Sequence, residues 1–318
     1  MITPELARSG LTGSLTRGRR TRNRLATVLM GASLAVAAIP LGLVLVLLVS
    51  KGFDLVTSAD WWTKSIPTNV AAADLADKAE YFGIEPSALE AQPVVYGMWP
   101  AIYGTLLITG LAALLSIPLG IFAAVYLNEY GKRSRLASVI RFFTDVMVGV
   151  PSVVMGIFLY TVWVVPFGKE GRSAIAGALA LACLMLPVVV RSTEEMLRLV
   201  PDALRQASSA LGTPQWKTIT RVTLPAALPG ITSGCMLAIA RAAGETAPIL
   251  FAIGSVTAVN WSIFGQNTAL SAQIYSNATQ PGGAGIAWGA SLTLILIVMV
   301  LTLCARFVTK RFAISIAD

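Results

Sequence analysis

Apolar residues along this chain gather into long runs without charge, and the charged residues collect between them. Residues 28–49, 100–127, 146–167 and 173–190 contain no Asp, Glu, Lys or Arg. Residues 230–259 are interrupted only by Arg241 and Glu245, and residues 286–307 stay apolar until Arg306. A helix needs about 20 such residues, rising ~1.5 Å each, to cross ~30 Å of hydrocarbon. Each run meets or nearly meets that length. No stretch shows the ten-residue alternation of polarity expected of a membrane barrel. The pattern therefore predicts an all-α integral membrane protein with six transmembrane helices.

Composition agrees. Only 13% of the 318 residues are charged and mean hydropathy is +0.73, where a soluble domain carries about 25% charged residues. The net charge of +8 would suggest nucleic acid in a soluble chain. Here its placement points to membrane lipid and to topology instead, with no nucleic-acid partner. Eighteen of the 24 basic residues fall in residues 1–27, 128–145, 191–229 and 306–311, all on one side if the spans alternate. By the positive-inside rule both termini are cytoplasmic. The paired arginines and Ala35-Val36-Ala37 invite a cleavable signal, but the apolar run through Val49 exceeds the 7–15 residues of a signal core. Residues 1–27 are thus a basic cytoplasmic N-terminus and 28–49 a retained first span. Residues 50–98 form an acidic outer segment whose residues 71–92 suggest a helical hairpin cap. A transmembrane domain fills 99–308, and 309–318 form a cytoplasmic tail. Cys183, Cys235 and Cys304 lie inside apolar runs with no metal or disulfide spacing, and the absence of histidine excludes an imidazole relay.

The cytoplasmic loop 191–229 is too organised for a simple connector. Pro201 precedes Asp202-Ala203-Leu204-Arg205-Gln206-Ala207-Ser208, a helix start with an acid that suits the dipole. Gly212 ends that helix as a C′ residue. Thr213-Pro214 starts a second over 215–222, with Thr213 as N-cap. Leu224-Pro225 and Pro229-Gly230 predict breaks before the fifth span. Two short helices meeting at a glycine suit either a knob that docks a soluble partner or a helix lying on lipid headgroups.

Gln206-Ala207-Ser208-x3-Gly212-x9-Val222-Thr223-Leu224-Pro225 resembles the E-A-A-x3-G-x9-I-x-L-P loop of ABC-importer permeases, with Gln206 in place of the usual Glu. Further stretches resemble the PstA family of phosphate-importer permeases. These are the Gly120 to Tyr130 segment, Gly149-Val150-Pro151-Ser152, Leu186-Pro187 through Glu195, and Arg241-Ala242-Ala243-Gly244-Glu245-Thr246-Ala247-Pro248. The resemblance implies a type I ABC-importer permease fold with cytoplasmic coupling helices, in a bacterial inner membrane. It implies docking on an ATPase through Asp202, Arg205, Gln206, Ala207, Gly212, Leu224 and Pro225. The partners it implies are a PstC-like second permease, two copies of a PstB-like ATPase and a PstS-like phosphate-binding protein.

Two charges inside the fifth run carry the candidate chemistry. Counting from Gly230, Arg241 falls ~16 Å into the membrane, near its midplane. An arginine there costs about 2.5–3.5 kcal/mol. Glu245 follows at i+4, within pairing range on a helix. Gly230, Gly234 and Ala238 form a small-residue ridge that predicts close helix approach and turns the two charges into the bundle. The pair is either a self-satisfied structural bridge or an oxyanion path, since a guanidinium fork matches phosphate bidentately. Arg241 and Glu245 together are neutral, so a phosphate path needs a further cation from a second subunit. Thr246 and Ser152 are candidate path residues beside them. Gly149-Val150-Pro151-Ser152 predicts either a broken third span with N–H groups aimed at an anion or a plain proline kink. Gly104, Gly110, Ser116 and Gly120 in the second span read as packing.

No nucleophile–base pair, metal cluster or Gly-Lys-Ser/Thr phosphate loop occurs. The chain is thus expected to be non-catalytic and to bind no cofactor, with ATP and magnesium on the partner ATPase. The reading is an ATP-driven phosphate importer. A permease for another oxyanion or a phosphonate, a phosphate-status signalling subunit and a secondary carrier are its competitors.

Overall fold

The computed structural model describes residues 17–67, 96–131, 134–280 and 282–312. The expected hairpin at 71–92 lies outside them. Helix is the only regular structure among the described residues. Five helices are long and apolar enough to cross a membrane, or six if one bent pair is counted as a single span.

The chain divides into two units, Met1–Ser50 and Lys51–Asp318. The first holds most of α1 (Arg17–Thr57), whose apolar side chains from Leu25 to Val49 are almost all exposed, as suits a lipid-facing anchor. In the second unit, the short α2 (Ala59–Thr63) buries Trp61 completely, and its indole N–H donates to Thr293 Oγ1 at 2.8 Å. There follow α3 (Trp99–Val125), α4 (Arg135–Gly149), α5 (Ser152–Leu159), α6 (Ala174–Leu199), α7 (Asp202–Ala210) and α8 (Gln215–Thr218). The chain ends with α9 (Leu224–Gly244), α10 (Ala247–Ala252), α11 (Leu270–Ala278) and α12 (Ala284–Phe312).

The core lies between α3, α6, α9 and α10. Small residues set these contacts, as they do where lipid supplies no hydrophobic drive between helices. A Cβ on Gly120 would come within 2.6 Å of Val189 on α6, and Ser116 Oγ lies 3.8 Å from Met185 Sδ. Gly104 lets the backbone of Thr268 approach α3, so these positions do pack, whereas Gly110 meets open space. On α9, side chains at Gly230 and Gly234 would collide with Met196 and Ser192 of α6. The predicted ridge is therefore the α9–α6 seam.

The structure decides one open expectation, the break offered by Gly149-Val150-Pro151-Ser152, and changes two others. Residues 146–167 are not one straight span: α4 and the stretch Ser152–Phe167 meet at 105°. Pro151, the N-cap of α5, cannot donate a helical bond, and Val150 before it is driven to extended backbone (ψ 128°). The expected loop 128–145 accordingly contains a helix, α4. Second, Leu224-Pro225 and Pro229 do not break the chain, which is helical from Gln215 to Gly244. A π turn over Ile219–Thr223 precedes them. Proline at the start of the next α segment gives up an N–H that the wider turn leaves without a role. Third, Pro214 rather than Thr213 is the N-cap of α8. With α6 reaching Leu199 as well, little more than residues 200–214 of the 191–229 segment form the connecting hairpin.

Candidate functional site

The hairpin at the end of α6 is built around Gly212. Its φ of +74° is a left-handed conformation that L side chains resist. Its N–H donates to Ser209 O at 2.9 Å, and the Thr213 N–H donates to Ser208 O at 3.3 Å. These two bonds close α7 as a Schellman motif. A hydroxyl pair, Ser208 Oγ to Thr218 Oγ1 at 2.8 Å, holds α7 against the turn that follows.

What the hairpin presents outward is apolar and polar together. Asp202, Gln206 and Ala207 are exposed, and so are Leu204, Leu211 and Trp216, with Leu211 at 85%. Leu211 and Trp216 escape the motif comparison because they fall in its unspecified positions. Leu224 and Pro225 are half-buried at the start of α9. Arg205 faces inward. Its guanidinium donates to Leu197 O and Val200 O, both at 2.7 Å, and pairs with Glu129 and Asp202 at 3.1 Å. As part of an exposed docking helix Arg205 was expected outside; the carbonyls left over at the end of α6 draw it in.

Arg241 sits in the last turn of α9, and Glu245 follows as its C-cap with extended backbone (ψ 128°). The pair does not lie mid-helix: α9 begins at Leu224, not at Gly230, and ends at Gly244, between the two residues. The C-terminal end of a helix carries negative partial charge, which favours an arginine there. Arg241 Nε reaches Glu245 Oε1 at 3.4 Å, a long contact through one nitrogen. Among the described residues no protein acceptor meets its two terminal nitrogens. Its side chain is 60% exposed and that of Glu245 18%, so the arginine does not turn into this chain's bundle. It borders a small hollow with Leu184, Met185 and Val188 of α6.

Backbone unwinding at Glu245 is held from the side. Ser271 on α11 donates its hydroxyl to the Glu245 carbonyl at 3.0 Å, and Thr105 on α3 accepts the Leu270 N–H at 2.8 Å. Ser271 carries no sequence signal, since its partner is a main-chain oxygen 26 positions earlier. Thr246 is the N-cap of α10 and its carbonyl accepts the Leu250 N–H at 3.0 Å. Ser152 opens α5, which packs through Gly156 against Pro248 of α10. No hydrogen bond among the described residues joins Ser152 to Arg241 or Glu245. On the N-terminal side of Arg241, a groove of about 690 Å³ follows α9 between α6 and α12.

Comparison with known proteins places this geometry. Residues 116–316 match the family of binding-protein-dependent transport system inner membrane components. The phosphate transport system permease protein PstA 1 of Mycobacterium tuberculosis is 45% identical over 93% of this chain and 92% of its own length. PstA of Yersinia pestis is 38% identical over 92% of each chain. Among solved structures, an inward-facing MetNI methionine ABC transporter chain aligns with a TM-score of 0.55 at 17% identity, covering 68% of this chain and 97% of that one. A chain of a bacterial importer of the acidic polysaccharide alginate gives 0.53 at 16% identity, covering 93% and 100%. These two likenesses establish the fold, the type I importer arrangement. The identity shared with the phosphate permeases along nearly the whole chain establishes more: this protein belongs to the PstA family of phosphate transport permeases.

Proposed function

We propose that this chain supplies one half of the membrane path of an ATP-driven phosphate importer and passes the work of cytoplasmic ATPases to it. The observation that carries the phosphate path is the unsatisfied fork of Arg241. A guanidinium held by one long contact keeps two parallel donors for an oxyanion. Glu245 holds the fork in place at rest and releases it when phosphate arrives. Because Arg241 and Glu245 cancel in charge, a PstC-like second permease brings another cation to the open side of Arg241. Its exposure in the chain by itself fits that arrangement.

A PstS-like binding protein delivers phosphate outside, and two PstB-like ATPases carry ATP and magnesium inside. They engage the exposed face of the α7–α8 hairpin, with Gln206, Ala207, Leu211 and Trp216 at the contact. This chain performs no catalysis, and both of its termini face the cytoplasm of a bacterial inner membrane. Arg241→Gln in the assembled transporter is expected to lower ATP-driven phosphate uptake about 100-fold or more, the scale of losing a charged hydrogen-bonding partner. Arg241→Lys keeps charge without the fork and retains partial uptake. Near-normal uptake by Arg241→Gln contradicts the path.

A further inference from the structure

The docking face explains how force enters the chain but not how it reaches α3. α6 and α9 are joined to the coupling hairpin by the polypeptide itself. α3 ends some seventy residues earlier in the chain, so its link to the hairpin is not covalent. We propose that Glu129 is that link: a positioning residue through which motion of the coupling hairpin is transmitted to α3.

Glu129 lies in the π turn Tyr126–Tyr130 that ends α3, and its side chain is only 6% exposed. It touches the hairpin on both sides of Gly212. Before the glycine, Arg205 donates to its carboxylate through Nε at 3.3 Å and through a terminal nitrogen at 3.1 Å. After the glycine, Gln215 Nε2 donates to its main-chain oxygen at 2.9 Å. Asn128 Nδ2 steadies the same carboxylate at 2.8 Å. Arg205 is 15% exposed and also donates to the two carbonyls at the end of α6. One guanidinium thus ties α3, α6 and α7 together.

A neighbouring pair reinforces the junction. Arg141 of α4 donates to Leu127 O at 2.9 Å and to Glu194 at 2.9 Å, and Glu194, 2% exposed, also accepts from Arg198 at 2.6 Å. Separating α7 from α3 would break the ion pair between Glu129 and Arg205, which is costly where both side chains are largely buried. Moving them together is cheaper, so the hairpin and the inner end of α3 shift as one body.

This proposal rests on the reading that ATPases dock on α7, and its test separates the two. The complete transporter, with second permease, ATPase and binding protein, is reconstituted in liposomes, and phosphate imported and ATP hydrolysed are counted together. Glu129→Gln keeps the shape and removes the charge. It is expected to leave the ATPase bound and hydrolysing while phosphate imported per ATP falls about fivefold, within the range of coupling changes seen for such networks. Gln215→Ala severs only the exposed contact to the Glu129 carbonyl, with no threat to folding, and should lower the ratio about twofold. An unchanged ratio in both variants with ATPase bound overturns the proposal. If Glu129→Gln fails to assemble, an unchanged ratio in Gln215→Ala overturns it alone. Loss of the ATPase from a Gly212 variant bears on docking and not on Glu129.

Discussion

Gly212 carries its backbone shape in its position along the chain. A glycine closing a short amphipathic helix signals a left-handed cap, and its φ is +74°. A β-branched residue there is strained by roughly 1–2 kcal/mol. Gly212→Val is expected to reach the membrane in normal amount yet retain less of the ATPase in a pull-down, whereas Gly212→Asn, which tolerates this conformation, keeps most of it. Equal recovery with Gly212→Val contradicts the docking role. Arg241 and Glu245 were also legible, because two charges inside an apolar run call for a reason. Their backbone setting was not. The helix ends between them at Gly244, and the contacts that hold the break, Ser271 to Glu245 and Thr105 to Leu270, are long-range. Glu129 falls in the family-like segment Gly120 to Tyr130, but its link to the hairpin gave no signal because its partner Arg205 is 76 positions away.

At the scale of elements, helices could be read from apolar length, but their breaks and continuities could not be read from proline alone. Pro151 produces a 105° bend, while Pro225 and Pro229 lie within an unbroken helix. A π turn at Ile219–Thr223 precedes Pro225 and has no composition of its own, while Pro118 and Pro187 are carried inside α3 and α6 without one. The ridge of small residues was legible because lipid-embedded helices need it to approach. Gly234→Leu drives a side chain into Ser192 and is expected to unfold the purified complex several degrees lower, in line with about 1–3 kcal/mol of overpacking. Gly244→Ala, where nothing lies within 4 Å, is the matched control and should unfold with wild type. Equal stability of the two variants contradicts the α9–α6 seam.

For the whole molecule, the orientation expected from charge placement can be checked by labelling once the three native cysteines are replaced. Ala210 on the hairpin and Ala258 between α10 and α11 are both exposed and suit this test. A cysteine at Ala258 should react with an impermeant reagent added to intact cells, and one at Ala210 only after permeabilisation; the reverse inverts the topology. The central claim, that Arg241 carries phosphate and is not merely half of a structural bridge, is tested most directly by Arg241→Gln combined with Glu245→Gln. Two amides restore a neutral pair able to hydrogen-bond, so no charge is left unpaired. The account predicts that this double variant assembles with its partner subunits in normal yield and imports no phosphate above background in ATP-loaded liposomes. Substantial ATP-driven uptake by the double variant would contradict it and leave Arg241 as scaffold.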